Sequence, residues 1–177
     1  RIIWPSEPFA YFSENVFSYV SGLVEVDVPA IFQTLPAGTF YSCPDLAAVN
    51  VQDGVTKIDY DAFRGCGKLK RLDLPDTLTE IGNNAFYDCK QLVAPAFPTR
   101  MTRIGKNAFT GCSSFGDLTL PAGASLEEAC FSGTNLTSLT WPEEAMGTID
   151  QPFGQQNNIT AMTFPSWMET IPWYICS

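Results

Sequence analysis

Histidine is absent from this 177-residue chain, and lysine plus arginine number 10 against 19 aspartate plus glutamate. The first absence removes the commonest metal ligand and the usual general base near neutral pH. The second leaves a net charge of −9 with no basic cluster. That balance argues against nucleic acid, whose affinity comes from cations neutralising phosphates, and against an anionic membrane surface. No apolar run approaches the ~20 residues that cross a bilayer, so no membrane insertion is expected within this segment. No basic, apolar, small-residue start reads as a signal peptide. No phosphate-cradling glycine loop or nucleophile elbow appears, and any serine or cysteine nucleophile would lack its histidine partner. No cofactor, metal or catalytic residue is therefore expected.

What the chain does contain is a period. Phe17, Phe40, Phe63, Phe86 and Phe109 recur every 23 residues, and Phe131 and Phe153 follow after two steps of 22. Cys43, Cys66, Cys89 and Cys112 stand three places after their phenylalanine in four consecutive units. A fixed period of this size means one supersecondary unit stacked on copies of itself. The rest of each unit keeps step. Leu23, Leu46, Leu69, Leu92, Phe115, Leu136 and Ile159 supply the next apolar place. Two apolar residues one apart follow, such as Val26 and Val28, Leu72 and Leu74, Leu118 and Leu120, or Leu139 and Trp141. A proline usually closes that stretch (Pro29, Pro75, Pro98, Pro121, Pro142, Pro165), with Gln52 the exception. Leu35, Ile58, Ile81, Ile104 and Ile149 add one inward place before the next phenylalanine, with Leu126 one place early in the Phe109 to Phe131 unit.

Arg71 and Asp73 alternate with Leu72 and Leu74, the period-two signature of a strand with one buried face. One such strand per coil, always running the same way, must pair in parallel. Proline after the strand fits because it lacks an N–H for the ladder. Pro95 instead occupies a strand position held elsewhere by Val26, Val49, Leu72 or Leu118, which predicts a bulge or a missing ladder bond. Two places before the phenylalanines stand Asn15, Gly38, Asp61, Asn84 and Asn107, types that cap short turns and tolerate left-handed backbone. A helical or 3₁₀ turn over Ala-Phe-x-x-Cys would aim both side chains into the core. Ala129 and Gln151 in the last units predict that this turn degrades toward the C-terminus. The architecture expected is an α/β solenoid, one domain over residues 1–177 with about seven coils. The ends read as incomplete units: Ile2, Trp4 and Pro5 match the close of one, and Ile171 to Ser177 the opening of another.

The segments LTEIGNNAFYDCKQLVAPAFPTR (78–100) and MTRIGKNAFTGCSSFGDLTLPAG (101–123) resemble leucine-rich repeats of the BspA type. VTKIDYDAFRGCGKLKRLDLPDT (55–77) matches with Asp59 in place of the glycine, and FSGTNLTSLTWP (131–142) resembles the shortened variant without the cysteine. The resemblance implies a right-handed solenoid with few true helices. It also implies the company of surface and secreted proteins of bacteria and some protists, where such repeats are linked to adhesion and host-protein binding.

Four cysteines stacked one per coil would form a line ~14 Å long at parallel-strand spacing, which no tetrahedral ion can gather. Side chains pointing in parallel also lack disulfide geometry, so the thiols read as small core residues. Cys130, where alanines stand in other units, reads as buried too. The acidic pairs Glu127–Glu128 and Glu143–Glu144 cannot converge, since adjacent residues on a strand face opposite ways. The strand surface is the better candidate for function, because solenoids present it as an extended face. One outward column is Glu25, Ala48, Arg71, Ala94, Asp117, Ser138 and Ala161. The other is Asp27, Asn50, Asp73, Ala96, Thr119, Thr140 and Thr163. The candidate binding residues are the polar members Glu25, Asp27, Asn50, Arg71, Asp73, Asp117, Thr119, Ser138, Thr140 and Thr163. Neither column holds an aromatic, and only Arg71 matches the residue types that dominate hot spots. Tyr41, Tyr87 and Tyr60 beside the turn offer a second edge. Asn135-Leu-Thr137 and Asn158-Ile-Thr160 match the N-glycosylation acceptor sequence. The function expected is a non-catalytic, monomeric recognition or adhesion module, extracellular or on the cell surface, binding a protein or glycan. The alternative is a spacer that projects another domain from that surface.

Overall fold

The alternating and β-branched stretches form strands because each buries one row of side chains and finds its hydrogen-bond partners in the neighbouring coil. The computed structural model describes residues 2, 4, 13–154 and 158–169, so Pro5, Cys176 and the Ile171 to Ser177 unit lie outside the described residues. In chain order the strands are β1 Glu25–Val28, β2 Thr34–Leu35, β3 Ala48–Val51, β4 Lys57–Ile58, β5 Arg71–Asp73, β6 Glu80–Ile81, β7 Arg103–Ile104, β8 Gly116–Thr119, β9 Ser125–Leu126, β10 Leu136–Thr140 and β11 Ala161–Thr163. They make three parallel sheets, ordered β1-β3-β5, β8-β10-β11 and β2-β4-β6-β7-β9. The parallel solenoid is as expected, but the α/β label is not, because the described residues hold strands and turns without a helix, and most coils carry two strands. The second runs through the single inward place at Leu35, Ile58, Ile81 and Ile104, whose backbone pairs with the adjacent coils. Leu126 is in register after all, pairing with Ile104 and bridging to Ile149. The shorter unit loses its residue between Ala124, which is fully buried, and Leu126.

Pro95 does more than remove one bond. Residues 92–98 form no strand, and the outer face divides into the β1-β3-β5 and β8-β10-β11 sheets on either side. Val93 N–H still reaches the Lys70 carbonyl at 3.3 Å, while Ala94 N–H turns to the Phe115 carbonyl at 3.0 Å. Proline has no N–H to continue the ladder. The five-stranded sheet β2-β4-β6-β7-β9 runs past this coil unbroken.

The phenylalanine turns are not helical: no α- or 3₁₀-helix occurs among the described residues. Local bonds such as Arg64 N–H to Asp61 O at 3.1 Å and Cys66 N–H to Phe63 O at 3.2 Å close each turn, and the N–H groups that alternate with them bond between coils. Phe40 N–H donates to Ala62 O at 2.7 Å, Phe63 to Ala85 at 2.8 Å and Phe86 to Ala108 at 2.8 Å. Left-handed backbone two places before and two places after the phenylalanine aims these N–H groups along the stack. The first set is Asn15, Gly38, Asp61, Asn84, Asn107 and Ala129; the second is Tyr19, Ser42, Gly65, Asp88, Gly111 and Gly133. The turn thus survives at Ala129, against expectation, and is lost only at Gln151, where φ is still +40°. Bonds from Ala129 to Gln151 (2.9 Å) and Phe131 to Pro152 (2.8 Å) hold alanine in that conformation. Left-handed backbone costs a residue with a β-carbon ~1–2 kcal/mol, and glycine's extra unfolded entropy returns ~0.5–1 kcal/mol of that. Ala129→Gly is therefore expected to raise stability by about 0.5–1 kcal/mol. A urea midpoint that stays put or drops would contradict this.

The core is a stack of like on like. Rings from Phe17 to Phe153 lie 5.1–5.8 Å apart with interplanar angles of 3–21°. A column at Phe32, Val55, Leu78, Met101 and Ala124, overlooked in the period above, is also buried. Beside it, Gly82 and Gly105 allow coils to touch through backbone. A β-carbon on Gly82 would lie 2.7 Å from Asp59 C and Tyr60 N, atoms that cannot yield alone. The φ of Gly82 is not in the left-handed range, so Gly82→Ala tests packing by itself. It is expected to cost about 1–3 kcal/mol in urea unfolding; a neutral effect would mean that the coils separate freely there.

Candidate interaction surface

All ten polar side chains assigned to the strand face emerge from its solvent side. Pairing puts Glu25 beside Ala48 and Ala48 beside Arg71, and Asp27 beside Asn50 and Asn50 beside Asp73. Beyond the Pro95 break, Ser138 pairs with Asp117 and Ala161, and Thr140 with Thr119 and Thr163. The two columns are thus straight within each sheet, but the break splits them, so the ten residues form two patches. Within the first, Arg71 Nη2 reaches Glu25 Oε1 at 3.2 Å, its Nε reaches Asp73 Oδ2 at 3.2 Å, and Asn50 Nδ2 donates to Asp27 Oδ1 at 3.0 Å. In the second, Thr137 and Ser138 hydroxyls donate to Asp117 Oδ1 at 2.7 and 2.8 Å and pull its carboxyl pKa down. Between the patches a notch of about 370 Å³ is bounded by Ala96, Phe97, Asp117, Thr119 and Leu120. Phe97 forms part of its wall and packs edge-on against Phe109 at 5.7 Å.

The five described cysteines are free and buried. They do more than fill space. Each +3 thiol donates to the carbonyl of the phenylalanine in the preceding coil: Cys43 to Phe17 and Cys66 to Phe40 at 3.1 Å, Cys89 to Phe63 and Cys112 to Phe86 at 3.2 Å. Thr134, at the same place in the next coil, gives its hydroxyl to Phe131 O at 2.7 Å. Burial pushes the Cys89, Cys112 and Cys130 thiols well up, which keeps them protonated and unreactive.

The glutamate pairs diverge. Glu127 forms a two-point pair with Arg103 at 2.7 and 3.0 Å, while Glu128 takes Lys106 at 2.6 Å. Glu143 accepts from the Ser166 backbone and hydroxyl. No group of three metal-ligating side chains occurs among the described residues. The sequon asparagines stack on one another, the Asn158 side-chain amide donating to the Asn135 oxygen.

The aromatic side chains that the strand face lacks gather on the turn edge. Tyr19 and Tyr41 rings meet at 5.4 Å, and Arg64 lies 5.9 Å from the Tyr41 ring and 4.9 Å from the Tyr87 ring. Tyr60 donates its hydroxyl to Glu14 Oε2 at 3.0 Å, which raises the phenol pKa. Tyr19 and Tyr60 are 69% and 45% exposed, large values for aromatic rings in a protein whose other rings are mostly core. Arg64 and Tyr19 escaped the sequence reading; the signal available was that Tyr41, Arg64 and Tyr87 all stand directly after their phenylalanine.

Comparison with known proteins places this geometry. The BspA type leucine-rich repeat region matches residues 1–93 and 79–177 in six copies. Among solved structures, the chain is similar to the leucine-rich repeat protein TpLRR of T. pallidum, at 24% identity and a TM-score of 0.51 over 78% of this chain and 85% of that one. A leucine-rich repeat protein from Bacteroides ovatus aligns at 20% identity and a TM-score of 0.44, over 79% of this chain and 51% of that one. A leucine rich cell surface protein from Faecalibacterium prausnitzii aligns at 18% and 0.35, over 81% and 61%. No curated protein matches the sequence.

Proposed function

Because this chain belongs to the BspA-type leucine-rich repeat family, we propose that it is a non-catalytic recognition module, extracellular or on the cell surface, that binds a protein or glycan through its repeat surface. The repeat family itself points to protein interaction; adhesion, the surface location and the ligand class are our reading. The observation that supports it most is the in-register strand face, where Glu25, Asp27, Asn50, Arg71 and Asp73 form one exposed polar patch and Asp117, Thr119, Ser138, Thr140 and Thr163 another. A solenoid holds such a face rigid, so a partner bears little ordering cost on the protein's side.

The test is an array of extracellular-matrix proteins and glycans probed with the purified chain. Saturable binding to at least one component is expected. The double variant Arg71→Ala/Asp73→Ala should weaken it about ten-fold or more, with the unfolding free energy changed by no more than about 0.5 kcal/mol. An array without saturable binding would favour the second reading, a spacer. That reading has its own support: the ion pairs and hydrogen bonds of Arg71, Asn50 and Asp117 are already made within the face.

A further inference from the structure

We propose that the turn edge carries a separate site for a cationic side chain, an arginine or lysine presented by a basic segment of a partner protein, in the cavity walled by Tyr19, Tyr41 and Tyr60. The inference concerns a different surface from the strand face and stands whether or not that face binds anything.

The argument starts from a column. Inter-coil bonds from Tyr19 to Tyr41 (2.8 Å), Ser42 to Arg64 (2.7 Å) and Gly65 to Tyr87 (2.8 Å) lock the turns in register. Ser18, Tyr41, Arg64 and Tyr87 therefore follow one another along the edge. On one side of Tyr41 the chain supplies its own cation. The Arg64 guanidinium lies within cation–π range of both tyrosines, and its charge is met by Asp61 at 3.3 Å. A guanidinium between tyrosines with a carboxylate at its edge is thus a geometry that these turns already support.

On the other side of Tyr41 the column offers only Ser18, whose hydroxyl turns back onto Gly38 O at 3.0 Å. The space that a longer side chain would take is a cavity of about 310 Å³, lined by the three tyrosines, Asn15, Ser18 and Asp61. Among the described residues no lysine or arginine lines it. Glu14 stands at its rim, held by the Tyr60 hydroxyl. Rings with a negative face, the Glu14 carboxylate and a chain of net charge −9 select a cation over an anion. Tyrosine and arginine are also the residue types that anchor interfaces.

The test uses amide chemical shifts of the whole chain titrated with N-acetyl-arginine amide at low ionic strength. Saturating shifts at Ser18, Tyr19, Tyr41 and Tyr60 are expected, weakening as salt is added. N-acetyl-norleucine amide, with an uncharged stem, should give none that saturate. Tyr60→Leu and Tyr19→Asn, neither in the phenylalanine stack, should each weaken binding by about three- to ten-fold. Equal shifts from the norleucine compound, tighter binding of methyl glucoside than of the guanidinium, or affinity unchanged in both variants would each overturn the proposal. Should a variant misfold, the comparison of the three probes on the unaltered chain still decides.

Discussion

Raising the pH from 9 to 10 should lower stability through three buried thiols, by at most about 1.4 kcal/mol for each. Burial holds the pKa of Cys89, Cys112 and Cys130 well above that of a free thiol. In the unfolded chain the same groups titrate near ~8.5. Above that value the unfolded state releases protons that the folded state keeps, so the unfolded state is favoured as pH rises. The contribution of these thiols is fully present below ~8.5 and falls by about 1.4 kcal/mol per pH unit for each of them until the folded-state pKa is reached. Urea unfolding under reducing conditions at several alkaline pH values measures the slope. Tyrosine and lysine ionisation also contribute, so the decisive comparison is with Cys89→Ala and Cys112→Ala, each of which should flatten the slope by about 1.4 kcal/mol per unit. Variant and unaltered curves that run parallel would mean that these thiols titrate alike folded and unfolded. Alkylation should agree: the five buried cysteines stay unmodified in the native protein and react once it is denatured.

Phe86→Ala is expected to cost about 3–5 kcal/mol. The ring is fully buried, 5.2 Å from Phe63 and 5.1 Å from Phe109, at interplanar angles of 6° and 3°. Truncation removes both ring–ring contacts and leaves a void that the coils cannot close, because backbone bonds on either side of the turn set their spacing. Among the described residues Phe153 has the single stacked neighbour Phe131, at 5.8 Å and 21°, so its truncation should cost less. Asp73→Ala removes an exposed ion pair with Arg71 and should stay within about 0.5 kcal/mol. Equally mild effects at Phe86 and Asp73 would refute the register on which both the core and the strand face rest.

The strand-face residues were legible as columns because period-two alternation inside a 23-residue repeat leaves no freedom in which side chains align. Pro95 was legible as a defect for the same reason, though not its extent: a missing N–H reads as one lost bond, while the structure loses the strand and divides the face in two. The turn edge was half visible. Tyr41, Tyr60 and Tyr87 stood out as aromatics, but their juxtaposition with Arg64 and Tyr19 depends on coils that the sequence lists far apart.

By itself the sequence determined the stack. Seven phenylalanines at one spacing and their attendant leucines, valines and isoleucines can bury their apolar surface only by lying in register, and that condition settles core, face and direction together. The tertiary structure alone decided what each backbone group and polar side chain bonds to. A turn rich in Asn, Asp and Gly suits a helical cap and a left-handed bend equally well. Here the following coil presents carbonyls at Ala62, Ala85 and Ala108 that draw alternate N–H groups outward along the stack, so no helix forms among the described residues. The preceding coil supplies the carbonyl for the thiols of Cys43, Cys66, Cys89 and Cys112, and the coils on both sides supply the opposing strands for Ile58 and Ile81. These partners lie a full coil away, at a distance in space that side-chain pattern within one unit does not encode.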